Sequence, residues 1–353
     1  MREMMDAVVL RGPRDLVVQS VPVPRAEPGQ VLVPVAACGI CGSDLRYYEG
    51  ENPWAKHTLG YERPNPPNMV LGHEIGARHG GQDVAVLSFR GCGVCLDCRR
   101  GREQLCSRTA HLGHGAGWES EEFNPGGMAE KCLAWPQFLF PLQQGVSAAE
   151  GTFVDGLAVA VHAAGLAAIP TGGSFAVLGA GPIGLGILQI ARALGAGRAW
   201  VVDVYETALS CARELGAHGV VSAQGVSGDE VAAEVLRETG GRGVDAVFES
   251  TGNPETQRAG LAMLARGGAM VLMAGVGEGL ALSDAALAGE RRITTSSNHR
   301  YPDFQTALEL MSEGKVRVGE MITHRFPLRD APRAFEVARN KAAHGAMKVI
   351  LEP

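Results

Sequence analysis

The sequence has few lysines, few aromatic residues and no excess of positive charge. Aromatic residues make up 5% of its 353 residues, and 38 acidic against 32 basic side chains give a formal net charge of −6. This balance does not favour a nucleic acid or a membrane surface as a partner. Arginines are scattered rather than arranged in a stripe, and the lysines are only Lys56, Lys131, Lys315, Lys341 and Lys348.

The sequence also lacks an apolar run long enough to cross a bilayer. The longest run, residues 175–191, contains four glycines and a proline and predicts a buried strand, turn and helix. Charge follows too soon after the amino terminus for a signal peptide. Six of the eight cysteines lie in or beside segments with metal-ligand spacing, and ligation needs reduced thiolates. We therefore expect a cytoplasmic protein in which Cys132 and Cys211 are plain buried residues.

The order of predicted elements indicates two domains, as the chain length also does. Short β-branched segments separated by proline and glycine fill the first 160 residues. From about Thr171 strands and helices alternate, which predicts a parallel, doubly wound sheet. The tail does not continue this repeat. We therefore expect an α/β protein in which a β-rich domain, residues 1–160 and 296–353, is interrupted by a nucleotide-binding domain, residues 161–295.

Four cysteines with the spacing C-x2-C-x2-C-x7-C form the strongest motif in the sequence. Thiolates this close can surround one zinc ion without a ligand from a distant element. They could instead hold an iron–sulfur cluster, but the segment reads as a loop beside a β domain, and we favour zinc. The predicted structural lobe spans residues 92–106, with ligands Cys92, Cys95, Cys98 and Cys106.

A sparser set of ligand types suggests a second metal site. Cys41 lies in CGSD, His73 and Glu74 lie in LGHE, and Asp155 precedes the predicted nucleotide-binding domain. Each residue alone would be weak evidence for a metal site, because a lone cysteine usually lies in the hydrophobic core. Together, one thiolate, one imidazole and carboxylates can bind zinc and leave a position open. A closed site beside an open one predicts a structural and a catalytic zinc, two ions per chain.

A G-x-G-x-x-G motif lies between a predicted strand and a predicted helix, and Asp203 ends the next strand nineteen residues after it. Glycines let the backbone approach a pyrophosphate, the helix terminus stabilises its charge, and the acid accepts a hydrogen bond from a ribose hydroxyl. The acid would repel a 2′-phosphate, so NAD is favoured over NADP. The motif residues assigned to the cofactor are Gly179, Gly181, Pro182, Ile183 and Gly184.

These motifs, with GGMAE, FESTG and the tail segments HRYPDF and ITHRFPL, resemble the zinc-containing medium-chain alcohol dehydrogenases nearly end to end. Within that family the chain is most similar to the sorbitol (polyol), threonine and glucose dehydrogenase branches. The resemblance implies a GroES-like catalytic domain interrupted by a Rossmann domain. It also implies a homodimer or homotetramer.

The resemblance assigns roles to individual residues. Cys41 and His73 match the catalytic zinc ligands, and Glu74 matches a carboxylate that ligates the metal in the polyol branch. Asp155 matches a position whose acid ligates zinc directly or through water. Because a second ligating carboxylate would make the site formally negative, we expect Glu74 and Asp155 not to bind tightly together. The other matches are Ser43 for the substrate proton, Asp44 for orienting a ligand, Thr251 near the cofactor, and Arg300 and Tyr301 near the substrate pocket.

The chain departs from the family pattern at three places. Arg46 stands where many relatives carry a histidine that continues the proton relay, which leaves the proton route open. Residues 50–69 form a longer segment than usual, and residues 111–127 have no familiar counterpart. Because substrate specificity resides in such loops, no particular alcohol can be carried over.

The resemblance implies an enzyme that transfers a hydride from an alcohol to NAD, with zinc as Lewis acid and Ser43 taking the proton. A polyol or sugar-type secondary alcohol is the favoured small-molecule substrate. Threonine- or glucose-dehydrogenase-type activity is the alternative on the same site. A zinc-free reductase of activated double bonds would lack both ligand sets. A non-catalytic binding protein on this fold would be expected to have lost ligands.

Overall fold

The computed structural model describes residues 2–274 and 282–353. The chain divides into two units, and the predicted bounds of the two functional domains stay a prediction. Unit 1 comprises Met1–Asp155, Arg300–Leu308 and Val318–Pro353. Unit 2 comprises Gly156–His299 and Glu309–Arg317.

Short strands dominate the first 155 residues, as the β-branched segments predict. The strands are β1 (Met4–Gly12), β2 (Asp15–Pro22), β3 (Val31–Gly39), β4 (Met69–Val70), β5 (Glu74–His79), β6 (Gln82–Val86), β7 (Phe89–Arg90), β8 (Ala110–His111), β9 (Lys131–Ala134) and β10 (Leu139–Pro141). The helices are α1 (Gly42–Tyr48), α2 (Leu96–Arg99), α3 (Ala148–Gly151) and α4 (Phe153–Ala167). Shorter turns are the π-helix Ala55–Leu59 and the 3₁₀ segments Glu103–Leu105 and Pro136–Phe138.

The carboxyl-terminal tail adds two strands to the main sheet of unit 1. Its elements are α9 (Tyr301–Ser312), β17 (Ile322–Pro327), α10 (Ala331–Arg339), α11 (Lys341–His344) and β18 (Lys348–Glu352), with 3₁₀ turns at Gly319–Met321 and Leu328–Asp330. Within the described residues the strands follow the order β10-β6-β5-β3-β18-β17. β18 pairs antiparallel with β3, while β5 pairs with β3 from the other side. The last strand therefore lies beside the strand that leads to Cys41.

Unit 2 alternates strands and helices. The elements are β11 (Phe175–Leu178), α5 (Pro182–Ala193), β12 (Ala199–Asp203), α6 (Glu206–Glu214), β13 (Gly219–Ser222), α7 (Gly228–Glu238), β14 (Val244–Glu249), α8 (Pro254–Met263), β15 (Leu264–Leu272) and β16 (Arg292–Thr295). Among the described residues they form one parallel sheet in the order β13-β12-β11-β14-β15-β16. This is the strand order of a doubly wound dinucleotide-binding sheet, and the predicted fold class is confirmed.

Burial explains why the strands of unit 2 read as continuous apolar runs. Every residue of β11 is buried, so both faces of this strand are covered. Phe175, Trp200 and Phe248, on three neighbouring strands, are fully buried. None of the helices in residues 2–274 and 282–353 is long and apolar enough to cross a membrane.

One predicted helix is too long. The sequence pattern predicts a helix over residues 255–267, but α8 ends at Met263. Leu264 already pairs with Val244 of β14, so the chain turns directly from helix into strand. Gly275, at the end of the next predicted strand, lies outside the described residues.

Candidate catalytic metal site and dinucleotide site

The residues of the open ligand set converge in unit 1. Cys41 follows β3 and caps α1, His73 precedes β5, and Glu74 is the first residue of β5. Their sulfur, nitrogen and oxygen ligand atoms all lie within 4.8 Å of one another. Gly39 lies opposite Glu74 in the β3–β5 register, and a Cβ at Gly39 would overlap the Glu74 carboxylate. The antiparallel pair thus brings residues far apart in sequence to one point.

Asp44 holds the two ligand-bearing loops together. One carboxylate oxygen accepts a hydrogen bond from the Cys41 backbone N–H at 2.8 Å, and the other accepts one from the Gly72 N–H at 3.2 Å. Its Oδ1 also faces His73 Nδ1 at 3.9 Å. The side chain is fully buried, and burial raises the pKa of Asp44 to about 6 against the opposing effect of His73. This geometry fits the role that the family resemblance gives Asp44.

Two observations show that the donor set suits a cation. Burial disfavours the charged His73 ring, yet the negative charges of Cys41, Asp44 and Asp155 outweigh it and raise the pKa of His73 well above its usual range. The Ser43 hydroxyl beside these residues is buried without a hydrogen-bond partner among the described residues. A concentration of negative charge and an unused hydroxyl are what a zinc site with a substrate oxygen would use.

Asp155 lies outside the cluster of three ligand atoms. It belongs to the first turn of α4, is buried, and affects the pKa of His73 through its charge. Asp155 therefore lies close enough to act on His73, but it is not one of the three ligand atoms grouped within 4.8 Å. Which carboxylate is the direct third ligand stays a prediction.

A buried lysine that the sequence analysis did not assign completes the site. The Lys348 ammonium forms an ion pair with Glu74 Oε2, and each side chain is only 4% exposed. Lys348 begins β18, on the other side of β3 from β5, and its ammonium also lies 5.3 Å from the Phe153 ring centroid. Lys348 therefore neutralises one carboxylate of the cluster. Because Lys348 lies 274 residues after Glu74, no local motif predicts this contact.

Two further histidines, also unassigned, lie against His73. The ring centroids of His73 and His114 are 4.5 Å apart, and His111 stacks on His114 at 4.0 Å. His114 Nδ1 is 2.9 Å from the Tyr47 hydroxyl. Burial, together with the charges of His111 and His73, holds the pKa of His114 well below its usual range. The signal in the sequence was the H-x2-H spacing in an unfamiliar segment.

Arg46, Arg300 and Tyr301 contact residues outside the open ligand set. Arg46 pairs with Glu51 at 2.7 Å and lies 3.4 Å from His57 Nε2. The Arg300 guanidinium is half exposed and pairs with Asp303. The Tyr301 hydroxyl accepts a hydrogen bond from the Gly91 N–H at 2.8 Å, beside the cysteine lobe. The roles predicted for these three residues stay predictions.

The four-cysteine set forms a compact cluster whose sulfur atoms lie within 4.8 Å of one another. Backbone N–H groups of Cys95 and Cys98 donate to the sulfur atoms of Cys92 and Cys95, each at 3.4 Å. Backbone donors at Val94 and Cys95 lower the pKa of Cys92 to about 6. The set therefore suits a structural zinc ion. All eight cysteines are free, and Cys132 and Cys211 are buried as predicted.

The predicted cofactor residues meet where the strand order of unit 2 reverses. Gly179 follows β11 with φ +101°, and a Cβ there would come within 2.6 Å of Ser250 Oγ after β14. A Cβ at Gly184 would overlap the Gly179 carbonyl. Pro182 and Ile183 open α5, and its N-cap Gly181 has no capping side chain, so the first N–H groups remain for a ligand.

Two carboxylates fix the loops of this dinucleotide site. Asp203 Oδ2 accepts from the Ala180 N–H at 2.6 Å, and its Oδ1 accepts from the Tyr205 N–H at 2.9 Å. Glu249 is fully buried and accepts from the backbone and hydroxyl of Thr251. Glu249 lies in the FESTG segment, where only Thr251 was predicted to contact the cofactor. The arrangement fits a dinucleotide pyrophosphate and ribose.

Comparison with known proteins agrees with this geometry. Residues 27–144 match the family description "Alcohol dehydrogenase GroES-like domain", and residues 182–313 match "Zinc-binding dehydrogenase". A sorbitol dehydrogenase of Bombyx mori is 30% identical over 98% of this chain and 97% of its own length. A D-xylulose reductase of Saccharomyces cerevisiae is 30% identical over 99% and 98%. A zinc-binding dehydrogenase from Sinorhizobium meliloti, solved with NADP, is 28% identical, covers all of both chains and has a TM-score of 0.85.

An open cysteine–histidine–carboxylate site, a four-cysteine lobe and a Rossmann sheet define a zinc-dependent dehydrogenase of nicotinamide cofactors. The chain belongs to the zinc-containing medium-chain alcohol dehydrogenase family. The predictions of family, fold and enzyme class are thereby confirmed.

Replacing Cys95 with Ser should reduce the zinc content from two ions toward one and lower stability, because metal-binding energy at such a site is folding energy. Turnover per molecule that retains catalytic zinc should change little. Metal analysis, thermal unfolding and steady-state rates measure these effects. Cys132→Ser, the same change at a buried thiol outside the lobe, should keep both ions. A Cys95→Ser protein that folds normally but is inactive would show that the roles of the two sites are reversed.

Replacing Lys348 with Met should destabilise the zinc-free protein by about 3–5 kcal/mol, because it leaves the Glu74 carboxylate buried without its cation. The double variant Lys348→Met/Glu74→Gln should recover much of that loss. Urea unfolding of the single and double variants gives the coupling energy. Additive losses would mean that the two side chains do not interact in the folded protein.

Proposed function

We propose that this chain oxidises a secondary alcohol group of a polyol or sugar-type alcohol and transfers the hydride to NAD. The observation that carries the proposal is the open ligand cluster beside the Ser43 hydroxyl, which has no hydrogen-bond partner among the described residues. The sorbitol dehydrogenase and D-xylulose reductase among its relatives support the substrate class. Threonine- or glucose-dehydrogenase-type activity is the alternative on the same residues.

The ligand residues would hold a zinc ion, with Cys41 and His73 as fixed ligands and one carboxylate of Glu74 and Asp155 as the third. Bound there, zinc supplies Lewis acidity, which lowers the pKa of an alcohol hydroxyl. Ser43 can take the hydroxyl proton only as it releases its own hydroxyl proton toward water, so it acts as a relay. Among the described residues its oxygen has no hydrogen-bond partner and is available to the substrate. Asp44 keeps the Cys41 and Gly72 loops in register during this step.

The charge balance of the site supports an alcohol as ligand. Lys348 offsets the charge of Glu74, so among the four ligand residues the cysteine thiolate and Asp155 offset the two charges of a zinc ion. The buried Asp44 carboxylate is not counted with these ligands, because backbone N–H groups satisfy it. The expectation that Glu74 and Asp155 do not bind the metal tightly together stays a prediction. A site near formal neutrality stabilises a developing negative oxygen without trapping it. A non-catalytic binding protein would have no need for this balance.

The compartment is proposed from the free cysteines, and the assembly is proposed from the family resemblance. Eight free cysteines, four of them gathered in one cluster, suit a reducing compartment, and we propose the cytoplasm. We propose a homodimer or homotetramer on the family resemblance.

A screen of NAD reduction tests the proposed function. Polyols should give the highest kcat/KM in a panel that includes aldoses, L-threonine and short alcohols, and active protein should contain two zinc ions per chain. Ser43→Ala should lower kcat by about 10²–10⁴-fold with unchanged NAD affinity, because its hydroxyl acts only in proton transfer. Ser43→Thr, which keeps a hydroxyl, is the matched control. Near-normal turnover of Ser43→Ala would remove Ser43 from the mechanism, and no turnover on any alcohol would reject the function.

The Asp203 carboxylate should make NAD the preferred cofactor. Asp203→Ala should raise KM for NAD and narrow the difference from NADP, because it removes both a ribose acceptor and a repulsive charge. Asp203→Glu keeps the charge and serves as control. The relative solved with NADP has the same fold, so the cofactor preference is expected to depend on local residues such as Asp203. A wild-type chain that uses NADP as well as NAD would contradict the assignment of Asp203.

A further inference from the structure

The two segments that depart from the family pattern, residues 50–69 and 111–127, pack on each other in unit 1. Trp54, Ala55 and Ala116 form one buried apolar cluster. Arg63 pairs with Glu119 at 3.3 Å, and a Cβ at Gly115 would overlap the Pro66 ring. We call these two segments the cover. Their mutual packing fixes the position of residues 111–114.

The cover presents a histidine pair to the metal-binding cluster. His111 and His114 are 5% and 7% exposed, and both rings lie against that of His73 at centroid distances of 6.1 and 4.5 Å. Leu or Phe would fill this space without the cost of burying a polar ring. A buried imidazole ring therefore needs hydrogen-bond partners for its nitrogen atoms. Nδ1 of His114 already has one in the Tyr47 hydroxyl.

Tyr47 fixes the orientation of the His114 ring. The Tyr47 hydroxyl is fully buried and receives the Trp54 N–H at 3.4 Å. Its own proton can go to His114 Nδ1 at 2.9 Å or to Asn52 Oδ1 at 3.4 Å, and the shorter contact is to His114. When the Tyr47 hydroxyl donates to Nδ1, the ring carries its hydrogen on Nε2. The described residues offer that Nε2–H no acceptor.

We propose that His114 determines substrate specificity by donating its Nε2–H to a second oxygen of the substrate, on the carbon next to the reacting alcohol. The contact between the His114 ring and the ring of the metal ligand His73 places this donor beside the reaction site, so a neighbouring oxygen fits better than a remote one. The ligand class is a vicinal diol, as in a polyol chain. This inference rests on the proposed function and names the group that the site recognises.

The test compares 2,3-butanediol with 2-butanol, which differ by one hydroxyl group. In His114→Phe the ratio of kcat/KM for the diol to that for the monoalcohol should fall by about 10–100-fold, because a site built for a hydrogen bond loses it. His114→Gln keeps an N–H donor and should retain much of the ratio. Tyr47→Phe, which frees the ring to change tautomer, should give an intermediate loss. His79→Phe, on the exposed end of β5, is the matched control.

Calorimetric binding of the diol to zinc-loaded protein gives a readout that does not require turnover. Diol affinity should fall in His114→Phe while the zinc content stays at two ions per chain. Equal losses for both alcohols, or unchanged diol affinity, would overturn the assignment of His114 and leave the proposed function intact. A wild-type protein that oxidises neither alcohol nor any polyol would reject the proposed function, and the binding comparison would still decide on His114.

Discussion

Buried charge around the open ligand set is the constraint on which unit 1 depends. Asp44, Glu74 and Asp155 bring buried carboxylates together beside the partly buried Cys41 thiol, and water screens the charges of these carboxylates little. Such a cluster is stable only with matching positive charge and hydrogen bonds. Lys348 supplies one permanent cation, and backbone N–H groups satisfy Asp44. The remaining negative charge is what a divalent ion would balance.

This constraint explains the return of the carboxyl-terminal tail to the first sheet. β3 lies between β5 and β18, so the strand leading to Cys41 is flanked by Glu74 on one side and Lys348 on the other. Gly39, in β3, leaves the room in which the carboxylate and the lysine chain meet. The strand order, the small size of Gly39 and the Lys348–Glu74 ion pair therefore act together. A shift of one residue in either strand would turn the partners to opposite faces.

The sequence predicted the parts of the molecule that are encoded locally. The cysteine spacing and the G-x-G-x-x-G motif work within one loop each, and strand and helix periodicity indicated the alternation in unit 2. Lys348 and the histidines of the cover depend on pairing between distant segments, which periodicity does not report. The predicted end of α8 was wrong for a related reason, because Leu264 belongs to β15 and pairs with β14. Tertiary contacts overrode the local pattern there.

The two metal-binding clusters differ in what their surroundings leave unsatisfied, and this separates their roles. In the lobe, backbone N–H groups and an arginine donate to sulfur, and four thiolates close the coordination. At the open site the buried Ser43 hydroxyl has no partner within the described residues, and the one side-chain hydrogen bond of His114 there is made by Nδ1. Unused donors and acceptors are costly when buried, so they persist where a ligand satisfies them. Ser43 and His114 both lie beside the Cys41–His73–Glu74 cluster, and this is why we propose substrate chemistry at the site with fewer thiolates.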